Sequence, residues 1–178
     1  MAGHNKWSKI KRQKAVTDSK KGKTFSQLSK MISLAAKNGG GDADANPSLR
    51  LALEKARQER LPKENIQRAI NRGLGIGSDA PIDEVLYEGY APNGVAVLVK
   101  CATDNRNRTV SEIRLIFNKN NGSLGESGSA AYVFGDTPEE PTFFIDLDEE
   151  SYTNVEVLIE ALEENDDVIE VFHNARIT

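Results

Sequence analysis

The chain reverses its charge at a run of glycines. Residues 1–75 hold 17 of its 23 Lys and Arg but only 6 of its 27 Asp and Glu, a local net charge of +11, whereas residues 76–178 carry −15. The overall value of −4 conceals this division. At the crossover stands Gly73-Leu74-Gly75-Ile76-Gly77-Ser78, followed by Asp79-Ala80-Pro81. Glycines at every second position and then a proline do not sustain a helix, so the sequence places a domain boundary here. A basic half and an acidic half predict that one is built to meet a polyanion and the other is not. Three units are expected: an arm over 1–23, a helical bundle over 24–75 and an α/β domain over 76–178.

Ahead of the boundary the apolar residues recur with helical period. Phe25, Leu28, Ile32, Ala35 and Ala36 are spaced by threes and fours, and Asn38-Gly39-Gly40-Gly41 supplies a stop. Asn46-Pro47 reads as an N-cap followed by proline in the first helical position, with Leu49, Ala52, Leu53 and Ala56 as the stripe. A third helix starts at Pro62, turns Ile66, Ala69 and Ile70 inward and stops at Gly73. Three short amphipathic helices predict a small bundle. Residues 4–23 show no sustained apolar stripe and are expected to form a flexible arm that a partner orders.

After the boundary the period changes. Val85–Tyr90 and Val95–Val99 are strand-like runs around Pro92-Asn93-Gly94, a hairpin signal that predicts antiparallel pairing. Val110, Ile113, Ile116 and Phe117 predict a helix over Thr109–Asn120, and Val155, Leu158, Ile159 and Leu162 predict a second. Between them, Ala130–Phe134 and Phe143–Leu147 read as strands split by the turn through Pro138 and Pro141, and Val168–Phe172 reads as a closing strand. The expected fold class is therefore α+β: a basic arm and small three-helix bundle, followed by a ferredoxin-like α/β sandwich domain. From Val95 its order is β-α-β-β-α-β, two helices on one face of an antiparallel sheet, with the strand near Val85 added.

Composition closes several functional routes. A single Cys excludes a disulfide framework, and two His with one Cys exclude a four-ligand His/Cys zinc site. No apolar run approaches the roughly 20 residues that span a bilayer, and the charged start Met1–Lys14 lacks the apolar segment of a signal peptide. The expectation is a cytoplasmic protein with no membrane, metal, cofactor or small-molecule substrate.

Two segments are candidates for binding. The arm displays Lys6, Lys9, Lys11, Arg12, Lys14, Lys20, Lys21 and Lys23 against the single Asp18, with Trp7 among them. Each cation that meets a phosphate releases a condensed counterion, and Trp7 can stack on a base, so the pattern points to nucleic acid; the plainer alternative is a solubilising tail. Arg50, Lys55, Arg57, Arg60, Lys63, Arg68 and Arg72 extend the positive charge into the helices. The second candidate is Thr103-Asp104-Asn105-Arg106-Asn107-Arg108-Thr109, either a helix start with Arg106 and Arg108 solvated or a display of two guanidiniums that grip phosphate. No His or second acid stands near Asp104 in sequence to make a catalytic set. The small-residue run Gly122–Ser129 lacks the Lys of a P-loop and reads as a flexible connector. Cys101 reads as a buried apolar group, His4 and His173 as polar surface residues, and Glu156, Glu160, Glu163 and Glu164 as a solvated face or a docking surface for a basic protein.

Several ordered motifs carry a family resemblance. Ala2-Gly3-His4-Asn5-Lys6-Trp7, Gly39-Gly40-Gly41-Asp42 through Asn46-Pro47, Leu61-Pro62-Lys63-Glu64-Asn65-Ile66, Tyr87-Glu88-Gly89-Tyr90, Thr103–Thr109 and the ending Asp167–Ala175 together resemble the YebC family, whose mitochondrial members are translational activators of cytochrome c oxidase subunit one. The resemblance runs over nearly the whole chain. Members usually carry a further α/β domain after the segment matching Ala131–Phe134, where this chain has only a short turn, so it resembles a short form. The resemblance implies a non-enzymatic regulator of gene expression. One branch would be ribosome-associated translation factors contacting rRNA or tRNA, and the alternative is regulators that bind duplex DNA. The sequence shows no helix-turn-helix signature with base-reading side chains, which favours RNA.

Overall fold

A computed structural model describes residues 23–178. The expectations for the arm ahead of Lys23 therefore fall outside the described residues. Helix α1 (Phe25–Gly39) begins with a reciprocal cap: the Gln27 N–H donates to Thr24 Oγ1 at 3.2 Å, and the Thr24 N–H donates to Gln27 Oε1 at 2.9 Å. Helix α2 (Pro47–Gln58) is capped by Asn46, whose Oδ1 accepts from the Leu49 N–H. The Asn46 amide also donates to the carbonyls of Ala35 and Gly40, so one buried side chain fixes the turn between the two helices. Helix α3 (Lys63–Gly73) follows a short turn. The predicted stripes meet in one core of Leu28, Ile32, Ala36, Leu49, Leu53 and Ala69. Phe25 stands apart from it, 49% exposed.

Gly73 does more than stop α3. A Cβ there would lie 2.2 Å from the Ser33 carbonyl oxygen, so α3 meets α1 backbone to backbone, and the Ser33 hydroxyl donates to the Ala69 carbonyl at 2.8 Å.

The remainder is an antiparallel sheet with helices, and the fold is α+β. Strands β1 (Asp83–Ala91) and β2 (Val95–Thr103) pair antiparallel from Asp83 opposite Thr103 to Ala91 opposite Val95. The hairpin turn places Asn93 at φ 66°, the left-handed conformation that Asn tolerates. Strand β3 (Ser123–Leu124) adds to β1, and β5 (Val168–His173) adds to β2, both antiparallel, giving the order β3-β1-β2-β5. Helices α4 (Arg106–Lys119) and α5 (Glu149–Glu163) cover one face, as the sequence predicts, where Ile113, Phe117, Leu158 and Leu162 pack on Val95, Val97, Val99 and Cys101. The other face of β2 is buried too: Val133 and Phe134 cover Ala96 and Leu98, while Leu34 of α1 reaches Ala102. A central strand buried on both sides explains the unbroken apolar run Val95–Val99.

Three local expectations change. Ala130–Phe134 forms no strand but a 3-10 turn over Ala131–Val133. Its buried residues Ala130, Val133 and Phe134 are spaced by three and one, a helical interval, and its first N–H groups are taken by the Glu88 carboxylate rather than by a ladder. The strand expected at Phe143–Leu147 shortens to β4 (Ile145–Leu147) and pairs in parallel with β6 (Ala175–Ile177) as a separate two-stranded sheet. The ferredoxin-like plan is thus realised in its two helices and in the β2–β5 pair, while β1 and β3 supply the other two strands of the main sheet. Helix α4 begins at Arg106 instead of Thr109, so both loop arginines lie on its first turn.

The β1–β3 contact generates a test. A Cβ on Gly89 would lie 2.6 Å from the Ser123 carbonyl oxygen and 2.7 Å from the Phe117 ring, neither of which has room to move. Gly89→Ala is expected to destabilise the chain by about 1–3 kcal/mol. Urea unfolding followed by circular dichroism checks this as a lowered midpoint with unchanged slope.

Candidate nucleic-acid interface

Of the candidate binding residues, Lys6, Trp7, Lys9, Lys11, Arg12, Lys14, Lys20 and Lys21 lie outside the described residues. Lys23, Arg106 and Arg108 lie within them. Lys23 sits just ahead of the α1 cap. The Thr103–Thr109 segment is a well-formed helix start, with Asn105 Oδ1 accepting from the Arg108 N–H at 3.1 Å. It does not display its two arginines as a pair. Arg106 is 62% exposed and reaches only to 3.7 Å from the Asp83 carboxylate. Arg108 folds back: one guanidinium nitrogen lies 3.1 and 3.0 Å from the two carboxylate oxygens of Asp167 and 3.3 Å from Asp104. The helix start forms, but Arg108 is neither solvated nor displayed, since it is held on a buried carboxylate; Arg106 keeps a largely free guanidinium.

Asp167 is the centre of this region. Its side chain is 3% exposed and accepts from Arg108, from the Thr109 hydroxyl at 2.8 Å and from the Lys30 ammonium of α1. Burial works to raise its carboxyl, and these donors outweigh the burial and hold it below the ordinary carboxylate range. Beside it Gln27, 2% exposed, donates to the carbonyls of Glu163, Asn165 and Val168 at 2.8, 2.9 and 3.0 Å. Two side chains of α1 thus satisfy the turn from α5 into β5. The sequence reading passed over Gln27 and Lys30. A usable signal is a second stripe on α1, Gln27, Met31 and Leu34, spaced by four and three, on the face that meets the sheet.

The same clamping continues along the boundary between the two charge halves. Lys37 donates to the Ile82 carbonyl and to Asp83. Arg68 pairs with Asp79 through two bonds of 2.8 Å, and Arg72 reaches the Ala80 carbonyl and Asp104. These basic side chains answer acids of the other half. The cations of the helical region that have no acidic partner among the described residues are Arg50, Lys55, Arg57, Arg60 and Lys63, all on α2, its following turn or the start of α3.

The remaining candidates resolve as structure. The Gly122–Ser129 run is pinned: Glu88 accepts from the N–H groups of Gly128, Ala130 and Ala131 at 2.6 to 3.0 Å, and the Tyr90 hydroxyl donates to the Ser129 carbonyl. Burial raises the Glu88 carboxyl, and the three amides overcome that and lower it. Burial pushes the Cys101 thiol up to about 12, with the Asp167 charge adding to it, so this sulfur stays protonated and unreactive. No group of three His, Cys, Asp or Glu among the described residues is arranged to hold a metal, and no described helix is long and apolar enough to cross a membrane.

Both carboxyls lie below their unfolded values, so the unfolded chain binds protons first on acidification. Their contribution to stability is complete above about pH 5 and drains away as pH falls through about 4 and below. Asp167→Asn is expected to cost about 2–4 kcal/mol at pH 7, because Lys30 and Arg108 lose a buried counter-charge. In urea titrations across pH the gap between the variant and the parent should close as pH approaches about 3. A gap independent of pH would assign the loss to packing instead.

Residues 5–76 match the TACO1/YebC protein N-terminal domain, and residues 82–139 match the TACO1/YebC second and third domain. A probable transcriptional regulatory protein of Dictyoglomus thermophilum is 56% identical over 136 residues, covering 76% of this chain and 55% of that protein. Another of that name from Desulfotalea psychrophila is 50% identical over 171 residues, covering 96% and 66%. The chain thus spans between about half and two thirds of the length of these curated relatives. The crystal structure of the conserved hypothetical protein Aq1575 from Aquifex aeolicus superposes with a TM-score of 0.77 at 33% identity, covering 86% of this chain and 89% of that one. With both matched regions in order and relatives at half identity along nearly its whole length, the chain belongs to the TACO1/YebC family.

Proposed function

We propose that this chain is a non-enzymatic regulator of gene expression that holds nucleic acid through its basic arm, the α2–α3 cations and Arg106, with ribosomal RNA or tRNA as the target in the cytoplasm. The observation that carries the reading is the partition of positive charge. Lys30, Lys37, Arg68, Arg72 and Arg108 are consumed by acids of this chain, while Arg50, Lys55, Arg57, Arg60 and Lys63 keep no acidic partner among the described residues. They lie in the same basic half as the arm, whose residues 6–21 add seven cations against Asp18. Unpaired cations in that number are suited to phosphates, which reward contact by counterion release.

The choice of RNA over duplex DNA rests on the sequence showing no helix-turn-helix signature with base-reading side chains, and the pairing on α3 adds to it. A helix that reads a major groove needs free Arg, Asn or Gln side chains along its exposed face. Arg68 is held by Asp79 in two bonds, and Gln67 donates to Asn71. Reading as a transcriptional regulator on DNA keeps one specific support, the name that the curated relatives carry.

Two measurements test the proposal. In a sucrose gradient of cell extract at physiological salt the protein is expected to sediment with ribosomes and to leave them after RNase treatment. Confinement to the top of the gradient would turn the reading toward DNA, where roughly a thousandfold preference for particular duplexes over random sequence is expected. On single-stranded RNA, log K should fall against log salt with a slope of about −4 to −6. Changing Lys9, Lys11, Arg12 and Lys14 together to Gln should weaken binding and flatten the slope by about 2–3. Unchanged affinity overturns the role of the arm.

A further inference from the structure

A groove of about 1140 Å³ separates the bundle from the outer face of the sheet. Met31, Leu34, Leu51 and Phe172 give it an apolar floor, and its walls are acidic. Glu59 stands on the bundle side, Glu84 and Glu170 on the strands, and Glu160, Glu163 and Glu164 at the end of α5. Three lysines, Lys23, Lys55 and Lys100, offset half of that charge, and Lys100 already lies 3.7 Å from Glu84. The excess is negative and faces an apolar floor, a combination that suits a peptide carrying both cations and apolar side chains.

Such a peptide begins at the rim. Lys23 and Thr24 themselves line the groove, so residues 1–22 are tethered to the described chain at its wall. That segment carries seven Lys and Arg against one Asp, with Trp7, Ile10 and Val16 interspersed. At about 3.3 Å per residue, 22 residues reach up to about 70 Å, so length does not restrict access. Tethering gives an effective concentration on the order of millimolar, so a weak contact suffices.

We propose that, in the absence of nucleic acid, the arm of the same chain occupies this groove, its cations on the glutamates and its apolar residues on the floor, and that nucleic acid must displace it. The competition rests on the arm being the nucleic-acid-binding segment; the docking does not. The groove glutamates then act as an internal mimic of phosphate. They lower the affinity for weak polyanions and leave the arm to those that match more of its charges.

The docking is read without nucleic acid, on the full chain. A nitroxide on Ser8→Cys, with Cys101 buried and protonated, should broaden the amides of Leu51, Glu170 and Phe172 at about 20 mM salt. The effect should recede at about 0.5 M, where the screening length falls to about 4 Å. It should also recede when Glu59, Glu160, Glu164 and Glu170 are changed together to Gln, with the thermal melt confirming that this variant is folded. Absence of broadening in the parent overturns the docking. Broadening seen only when labelled chains are mixed with separate isotope-enriched chains assigns the groove to a second copy's arm and overturns the intramolecular contact. The competition is read next: the four-Gln variant is expected to bind single-stranded RNA about three- to tenfold more tightly. Unchanged RNA affinity overturns the competition, whereas failure of both proteins to bind RNA overturns the functional reading and leaves the docking result standing.

Discussion

The buried carboxylate of Asp167 is the point through which the two halves of this molecule become one structure. It lies in the turn from α5 to β5, yet its partners come from α1 and from the first turn of α4. Three donors on one side chain compensate the cost of placing a charge at 3% exposure. The adjacent backbone uses the same device, because the Gln27 amide donates to the carbonyls of Glu163, Asn165 and Val168. With that turn held, β5 can lie against β2, and Leu34 can close over Ala102 and Ile169 to seal the outer face of the sheet.

This changes what the division of charge along the sequence means. Opposite net charges in two halves invite the reading that each half faces its own partner, but part of the division is spent internally. Lys30, Lys37, Arg68, Arg72 and Arg108 meet Asp167, Asp83, Asp79 and Asp104 across or beside the boundary. Those between exposed groups contribute little singly, since water and salt screen them. Their effect is to orient the bundle on the sheet. Among the described residues, what remains outside these pairs is the α2–α3 cations and Arg106 on one side and Glu59, Glu160, Glu164 and Glu170 of the groove on the other.

The parts that were legible in the sequence are those governed by local rules. Helical stripes, the Asn46-Pro47 start and the Pro92-Asn93-Gly94 hairpin each act within a few residues, and each forms as the spacing predicts. Ala130–Phe134 was not legible, because a five-residue apolar run does not distinguish a strand from a turn; the decision fell to Glu88, some 40 residues away, which takes the amides that a strand would need. Strand β3 escaped for the same reason, since Ser123–Leu124 is held by the close approach of Gly89 and not by any propensity of its own. Among the candidate binding residues, Arg106 and Arg108 look alike as letters two positions apart. Only the position of Asp167 separates a guanidinium that holds the fold from one that faces solvent.

The distinction between spent and unspent charge also governs how a protein of this kind can be selective without reading bases. A highly charged arm binds any polyanion, and net charge alone gives affinity without discrimination. Discrimination arises when the free arm has an alternative of comparable strength, because a ligand is then retained only if it exceeds that alternative. On the docking proposed above, the acid-lined groove supplies such an alternative at a concentration set by the tether. An arm balanced in this way answers to how many phosphates its partner can present together, and not to the mere presence of negative charge.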